Sequence, residues 1–267
     1  MILSKSGKRL IEHYKTMAKD GFLREDGTKN EDAYNAFQLK KFRTIVLPKF
    51  KELNIGTVLD YGGGGSNWDK LNFDKESGQS AKQFFGVGKV TTFEPARNQN
   101  EKKKSDCVVC MDVLEHIFLA DVSNVVRELF SLTKKLLIIN VACYEAAALL
   151  PTGENAHITI RNPKWWDGLI TSISSDFPDV NVILICSETF ESGTIYLPFK
   201  SSDWGNSEKF TIEENCVTFG AKKVRNWTVE EIYGAVDLLT KKHPKTVTEI
   251  QKILKKNAPF MNPGFFS

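Results

Sequence analysis

The chain has 267 residues, of which 41% are hydrophobic and 26% are charged, and its formal net charge is +3. These values are ordinary for a globular protein that buries a core, and they are far from the strongly basic balance of a dedicated nucleic-acid binder. No stretch approaches the roughly 20 apolar residues that span a bilayer, so we expect a cytoplasmic protein without a membrane partner.

Three parts are predicted along the chain: an N-terminal helical cap (1–53), a core (54–200) and a C-terminal helical appendage (201–267). Within the cap, apolar residues recur at helical spacing from Lys8 to Ala18, and a second helical run begins at Asp32. A polar interruption separates the two runs, and Pro48 is expected to kink or end the second one.

Short apolar runs bounded by turn residues predict the strands of the core. They lie near residues 57–60, 89–93, 106–111, 136–141 and 180–186. A helix is predicted over 118–132, where valine, leucine and phenylalanine share one side. Strands that alternate with helical patterns predict an α/β fold with a Rossmann-like, doubly wound and mostly parallel sheet.

A glycine-rich turn follows the first predicted strand in the run Asp60-Tyr-Gly-Gly-Gly-Gly-Ser66. Backbone approaches a ligand closely where Cβ atoms are absent, so such a turn after a strand is typical of a nucleotide site. The G-x-G-x-x-G pattern of dinucleotide sites fails here, because Asn67 takes the place of the third glycine. The carboxylate of Asp60 suits a cationic ligand group better than a phosphate.

A second acidic residue, Glu94, directly follows the second predicted strand. A carboxylate at this place in a Rossmann-like unit accepts hydrogen bonds from both hydroxyls of a ribose. NAD and S-adenosylmethionine both carry such a ribose, so Glu94 indicates an adenosyl ligand without distinguishing the two.

Two motifs resemble those of class I S-adenosylmethionine-dependent methyltransferases. The D-x-G-x-G pattern is similar to motif I of that family, and Asp106-Cys-Val-Val-Cys-Met-Asp-Val-Leu-Glu-His-Ile117 resembles the block around its fourth strand. Over about residues 55 to 170 the chain also resembles a group of small methyltransferase-like proteins encoded by bacteria and phages. The resemblance implies S-adenosyl-L-methionine as cofactor. The implied cofactor-binding residues are Asp60, Tyr61, Gly62, Gly64, Glu94, Met111 and Asp112.

Two histidines are candidate catalytic residues. His116 lies near the end of the fourth-strand block, where we expect it to titrate near neutrality and to take a proton from an acceptor hydroxyl. His157 lies near Trp165 and Trp166, whose aromatic faces suit sugars, bases or cations. The alternatives are that His116 orders its loop and that the tryptophans pack a helix onto the sheet.

One spacing departs from the family pattern. Only eleven residues separate Glu94 from Asp106, which is too few for a third strand together with its crossover helix. Either the second predicted strand is misplaced or the sheet is shortened by one strand and helix, and we expect the shortened sheet. The usual adenine-contacting acid follows that strand, so Asn98 and Asp106 are its only substitutes, and weak ones.

The cysteines do not predict a metal centre. Cys107 and Cys110 have the C-x-x-C form, but they lie in a predicted strand, where residues three apart point to opposite faces. The sequence contains no second such pair. Buried free thiols are the expected state, and no metal site is predicted.

The C-terminal segment is basic and ends in an aromatic tail. Residues 221–256 hold nine Lys or Arg against four acids, and two capping boxes open short helices at Thr228 and Thr246. A solvated face is the commoner role of such charge, and a polyanion is the alternative. The tail, 259–266, is expected to pack on the core or on a second subunit, which would give a homodimer.

The expected activity is methyl transfer from S-adenosyl-L-methionine to an acceptor, with a small-molecule or glycan hydroxyl as first choice. Tyr34 and Phe37 are expected to form part of an N-terminal lid. One alternative is a nucleic-acid methyltransferase that uses the basic helices. Another is a non-catalytic interaction protein that has lost cofactor binding, and a nicotinamide enzyme comes last.

Overall fold

The computed structural model describes residues 3–31, 37–199, 207–213 and 216–219. The helices in these ranges are α1 (Lys5–Asp20), α2 (Leu39–Glu52), α3 (Ala81–Phe85), α4 (Leu119–Leu132) and α5 (Pro163–Ser174). The strands are β1 (Phe22–Arg24), β2 (Lys29–Asn30), β3 (Thr57–Tyr61), β4 (Lys89–Glu94), β5 (Gln99–Asn100), β6 (Ser105–Met111), β7 (Thr133–Ala142), β8 (Ala148–Leu149), β9 (Asn181–Ser187), β10 (Ser192–Phe199), β11 (Ser207–Glu213) and β12 (Cys216–Phe219).

The fold is α/β, and its central sheet has the order β12-β11-β10-β9-β7-β6-β3-β4-β5 within the described ranges. The five strands β9, β7, β6, β3 and β4 run parallel to one another, and a strand was predicted at the place of each. Six strands of this sheet, β3, β4, β5, β6, β7 and β9, can be numbered 1 to 6 along the chain. Read from β5 to β9, their order across the sheet is then 3-2-1-4-5-6. This order is compatible with a Rossmann-like fold.

Helices cover both faces of this sheet, which explains why its central strands β6, β7 and β9 are largely apolar. The helices α4 and α5 pack on one face through residues such as Val126 and Trp166, and α2 and α3 pack on the other. Cys110 belongs to the first of these clusters and Cys107 to the second. The prediction that the two thiols are buried, free and on opposite faces is confirmed.

The third strand is reduced to the two residues of β5, which run antiparallel to β4. After β4, Pro95–Arg97 form one 3₁₀ turn, and Asn98 has a φ of 59°, a left-handed conformation that asparagine tolerates. The chain therefore reverses at once instead of crossing over through a helix. The expected shortening of the sheet is confirmed here, because eleven residues leave room only for this reversal.

A small three-stranded sheet, in the order β2-β1-β8, lies beside α1. The polar interruption of the N-terminal cap contains the hairpin of β1 and β2, and β8 joins it from more than a hundred residues away. Leu10 and Met17 of α1 are buried against Ala148 and Ala156. These contacts hold α1 over one edge of the central sheet.

The structure corrects two expectations. Pro48 lies inside α2, which continues to Glu52, so it does not end that helix. The segment 201–267 was predicted to be a helical appendage, yet β11 and β12 lie within it and extend the central sheet as antiparallel strands. Polar and apolar residues alternate over 209–213, which is typical of a strand, and the helical prediction overlooked this pattern.

The helices predicted to start at Thr228 and Thr246, the basic stretch and the aromatic tail lie outside the described residues, as does the homodimer contact expected there. Within the described ranges, none of the helices combines the length and the apolar character needed to cross a bilayer.

Candidate functional site

A cavity of about 480 Å³ lies at the carboxyl ends of β3, β4 and β6. The chain order reverses between β3 and β6, and ligands of open α/β sheets bind at such a switch point. The other side of the cavity is formed by α1, β1 and Phe37. The cavity therefore lies between the strand ends and the N-terminal segment that covers them.

The glycine turn forms the floor of the cavity, and its backbone requires glycine at two neighbouring positions. Gly62 has a φ of 72°, and a Cβ atom there would lie 2.5 Å from Cγ2 of Val113. A Cβ atom on Gly63 would lie 2.6 Å from Oδ2 of Asp60. The turn is held so close to these side chains that only a residue without a side chain fits.

Asp60 is buried beneath the turn, and two side chains hold its carboxylate. Its Oδ2 atom accepts hydrogen bonds from Ser66 Oγ at 2.7 Å and from Trp68 Nε1 at 2.8 Å. Burial raises the pKa of Asp60, whereas these two hydrogen bonds act in the opposite direction. Asp60 thus anchors the glycine turn besides lining the cavity, and sequence analysis missed the contribution of Trp68.

Glu94 connects the glycine turn to the end of β4. Its Oε2 atom accepts a hydrogen bond from the Gly64 amide at 3.0 Å, and its Oε1 atom accepts one from the Ala96 amide at 2.9 Å. Each carboxylate oxygen has a second lone pair, so both remain able to accept a ligand hydroxyl. The predicted ribose-binding residue therefore lines the cavity, as do the glycines beside it.

The other predicted cofactor residues also line the cavity. Tyr61 is buried and packs on Phe93 with ring centroids 4.7 Å apart. Met111 is half-buried at the end of β6, and Asp112 follows it with a φ of 61°. The Asp112 amide donates to the Asn140 carbonyl at 3.0 Å, which fixes this strained residue at the strand end.

Glu115 is fully buried in the 3₁₀ turn Leu114–His116 behind Asp112. Its Oε1 atom accepts a hydrogen bond from the Ala142 amide at 2.6 Å. Its Oε2 atom, in contrast, has no hydrogen-bond partner among the described residues. Burial, followed by the charge of Asp112, raises the pKa of Glu115 well above its usual value.

His116 is the last residue of this turn, and its side chain contacts α1. Its Nδ1 atom is 2.9 Å from the Ala156 carbonyl and 2.7 Å from the Tyr14 hydroxyl. Burial, followed by the neighbouring His157 ring, lowers the pKa of His116 to about 4. This shift is opposite to the expectation that His116 titrates near neutrality, and it favours the neutral imidazole.

His157 reaches the same place from the long loop between β8 and α5. Its ring centroid is 4.7 Å from that of His116, and its Nδ1 atom is 2.5 Å from the Tyr144 carbonyl. Asn155 orders the loop by accepting from the His157 amide at 2.9 Å. The two candidate catalytic histidines, forty-one positions apart in sequence, are brought together by the fold.

Other predicted residues lie elsewhere. Trp166 is fully buried in the core, and Trp165 packs against the same cluster, so the tryptophans pack α5 onto the sheet. Asn162 is the N-cap of this helix and accepts a hydrogen bond from the Trp165 amide. Asp106 accepts from the Gly56 amide at 3.1 Å, at the amino end of β6, and does not line the cavity. Phe37 does line it, whereas Tyr34 lies outside the described residues.

The structure also brings together a four-residue cluster that sequence analysis did not identify. Asp112, Glu115, His116 and His157 each offer one nitrogen or oxygen atom, and these atoms all lie within 4.8 Å of one another. The spacing of the first three residues is a local signal that was available in the sequence. His157 was not predicted to join them, because its position depends on a loop folded back over the strand ends.

Comparisons with protein-family models, with curated proteins and with solved structures found no match to this chain.

Proposed function

We propose that the protein transfers a methyl group from S-adenosyl-L-methionine to a hydroxyl of a small molecule or glycan. The observation that carries the proposal is the convergence on one cavity of Asp60, the glycine turn, Glu94 and the end of β6. Each of these was chosen from sequence as a cofactor contact, and their meeting at the switch point of an α/β sheet supports a shared ligand. The proposed fold is accordingly Rossmann-like.

In the proposed complex, Asp60 receives the methionine ammonium of the cofactor, directly or through water. Gly62 and Gly64 allow the backbone to approach the ligand closely, and Glu94 accepts the ribose hydroxyls. Asp60 and Glu94 are both positioned by hydrogen bonds before a ligand arrives. Such preorganisation reduces the entropy lost on binding.

The acceptor is placed beside His116 and His157, across the cavity from Glu94. The acceptor oxygen attacks the sulfonium methyl and the carbon–sulfur bond breaks. The products are S-adenosylhomocysteine and a methyl ether, and the hydroxyl proton passes to water. Holding donor and acceptor in line supplies most of the acceleration. With a pKa of about 4, His116 is too weak a base to remove a hydroxyl proton unaided.

The covered cavity favours a small acceptor over a polymer. Its volume of about 480 Å³ lies within the range of about 300–1,000 Å³ typical of small-molecule sites. Residues of α1, among them Leu10 and Tyr14, form part of its wall. Methylation of a nucleic acid stays the alternative that would use the basic segment 221–256, which lies outside the described residues.

The test is isothermal titration calorimetry with S-adenosylmethionine, S-adenosylhomocysteine and NADH. NADH is included because the strand order also suits a dinucleotide. We expect micromolar binding of both S-adenosyl ligands and none of NADH. Asp60→Ala and Glu94→Ala should each weaken binding at least about tenfold, equivalent to about 1.4 kcal/mol.

Asp106→Ala is the matched control for Glu94→Ala. Asp106 also accepts hydrogen bonds from two backbone amides, those of Gly56 and Thr57, but at the opposite edge of the sheet. The Asp106→Ala variant should have a lower free energy of unfolding and the same cofactor affinity as the parent. A parent protein that is folded by circular dichroism and binds neither S-adenosyl ligand, or that binds NADH instead, contradicts the proposal.

A further inference from the structure

We propose that Asp112, Glu115, His116 and His157 form a binding site for one divalent transition-metal cation in the wall of the cavity. Two imidazoles and two carboxylates are the donor groups of many such sites. The site requires no residue outside the described ranges. Its existence does not depend on the identity of the cofactor.

The distances between the donor atoms are close to those of a metal centre. Ligands about 2.1 Å from one cation lie at most about 4.2 Å apart. In a tetrahedral site the donor atoms are about 3.4 Å apart. The four donor atoms lie within 4.8 Å of one another, so a bound cation would draw them closer together.

Both histidines have one ring nitrogen in contact with a backbone carbonyl. A carbonyl oxygen only accepts hydrogen bonds, so the contacts of His116 Nδ1 with Ala156 and of His157 Nδ1 with Tyr144 place a proton on each Nδ1 atom. The Nε2 atoms then carry the free lone pairs. A hydrogen bond from the second ring nitrogen to a backbone carbonyl is the usual support of a metal-binding histidine.

The buried carboxylate of Glu115 is the independent observation that calls for a cation. Its Oε2 atom is fully buried and receives no hydrogen bond from the described residues, and its side-chain neighbour is another carboxyl group, that of Asp112. An unsatisfied buried acceptor costs about 1–3 kcal/mol. The neighbouring charge of Asp112 increases this cost. One divalent cation would satisfy the free oxygen and neutralise both carboxylates.

The donor set favours one class of cation. Imidazole ligands suit zinc, iron, nickel and copper, whereas magnesium and calcium prefer oxygen ligands alone. A mixed set of two nitrogens and two oxygens fits Mn²⁺, Co²⁺, Fe²⁺ or Zn²⁺. We therefore expect tighter binding of these ions than of Mg²⁺ or Ca²⁺.

Asp112, His116 and His157 line the cavity, whereas Glu115 lies behind them. A cation held by these residues would have its open positions on the cavity side, where an acceptor hydroxyl could bind it. A bound cation lowers the pKa of a coordinated hydroxyl, so that water could take its proton without a protein base. This catalytic role rests on the proposed methyl transfer, whereas cation binding does not.

The test uses the full chain after treatment with a chelator. Mn²⁺, Co²⁺, Zn²⁺ and Mg²⁺ are titrated by calorimetry, and the Mn²⁺ complex is examined by electron spin-echo spectroscopy for ¹⁴N coupling from imidazole. We expect one equivalent of Mn²⁺, Co²⁺ or Zn²⁺ with ¹⁴N coupling. His116→Ala, His157→Ala and Glu115→Gln should each weaken binding at least about tenfold, and the two alanine variants should reduce the coupling.

His13→Ala and Glu145→Gln are the matched controls, because they remove an imidazole and a carboxylate outside the cluster. Binding in these variants should equal that of the parent. A folded parent that binds none of the cations, or binding unchanged in the cluster variants, overturns the proposal. S-adenosylhomocysteine is titrated in a second experiment in the presence of chelator. Absence of S-adenosylhomocysteine binding there contradicts the cofactor proposal alone, and absence of cation binding contradicts the cation proposal alone.

Discussion

The two ends of the cavity differ in how their buried acids are satisfied. At the glycine end, Asp60 accepts hydrogen bonds from two side chains and Glu94 accepts them from two backbone amides. At the histidine end, Glu115 is buried more deeply, yet one of its oxygens has no partner among the described residues. The first end is complete as folded, whereas the second lacks a positive group.

This difference indicates different tasks. A carboxylate held by fixed donors provides a rigid surface for a ligand whose shape is known in advance. A buried carboxylate without a donor lowers stability, and such a cost is typical of functional sites. We therefore expect substitutions at the glycine end to destabilise the protein and one substitution at the histidine end to stabilise it.

The largest effect is expected for Gly62→Ala. At a φ of 72°, an alanine costs about 1–2 kcal/mol, and its Cβ atom would overlap Cγ2 of Val113. Overpacking adds about 1–3 kcal/mol, so the free energy of unfolding should fall by about 2–5 kcal/mol. Urea denaturation measures this change.

Gly86→Ala is the control for Gly62→Ala, because Gly86 has a φ of 70° and a Cβ atom added there would meet no other atom within 4 Å. It should cost only the backbone strain of about 1–2 kcal/mol. Adding Val113→Ala to Gly62→Ala should recover part of the loss. Equal losses for Gly62→Ala and Gly86→Ala would show that close packing of the turn is unimportant.

A smaller effect is expected for the indole that holds Asp60. Trp68→Phe removes the donor to Asp60 Oδ2, whereas Trp166→Phe removes an indole N–H that has no partner among the described residues. Both tryptophans are buried, so their packing losses are comparable. Trp68→Phe should lower the free energy of unfolding by about 1–3 kcal/mol more than Trp166→Phe.

Thermal and urea denaturation of the two variants measures that difference. Trp68→Phe should also weaken binding of S-adenosylhomocysteine, because the carboxylate of Asp60 loses one of its fixed donors. If Trp166→Phe is the more damaging of the two, the hydrogen bond to Asp60 does not stabilise the turn.

The smallest effect, of opposite sign, is expected for Glu115→Gln in the presence of chelator. The amide oxygen keeps the hydrogen bond from Ala142, and the new NH₂ group donates toward Asp112. The free energy of unfolding should rise by about 1 kcal/mol. Asp60→Asn is the comparison, since it replaces a carboxylate whose donors are already in place and should lower stability. A loss of stability in Glu115→Gln would mean that its buried oxygen is satisfied in solution.

Residues close in sequence account for most of what was predicted correctly. The strands β7 and β9 were identified because strands buried on both faces are nearly continuous apolar runs. The shortened third strand followed from the eleven residues between Glu94 and Asp106. The residues at the ends of β3, β4 and β6 were found because parallel strands bring their carboxyl ends to one edge.

The sequence by itself thus determined the central strands, the glycine turn and the acids beside it, since each depends on a local pattern of polarity and backbone freedom. Only the tertiary structure decided that α1 covers the cavity, that Trp68 holds Asp60, and that His157 joins His116. These contacts depend on where separate segments pack against the finished sheet. Packing between distant segments leaves no periodic signal in either one, so a single sequence does not reveal it.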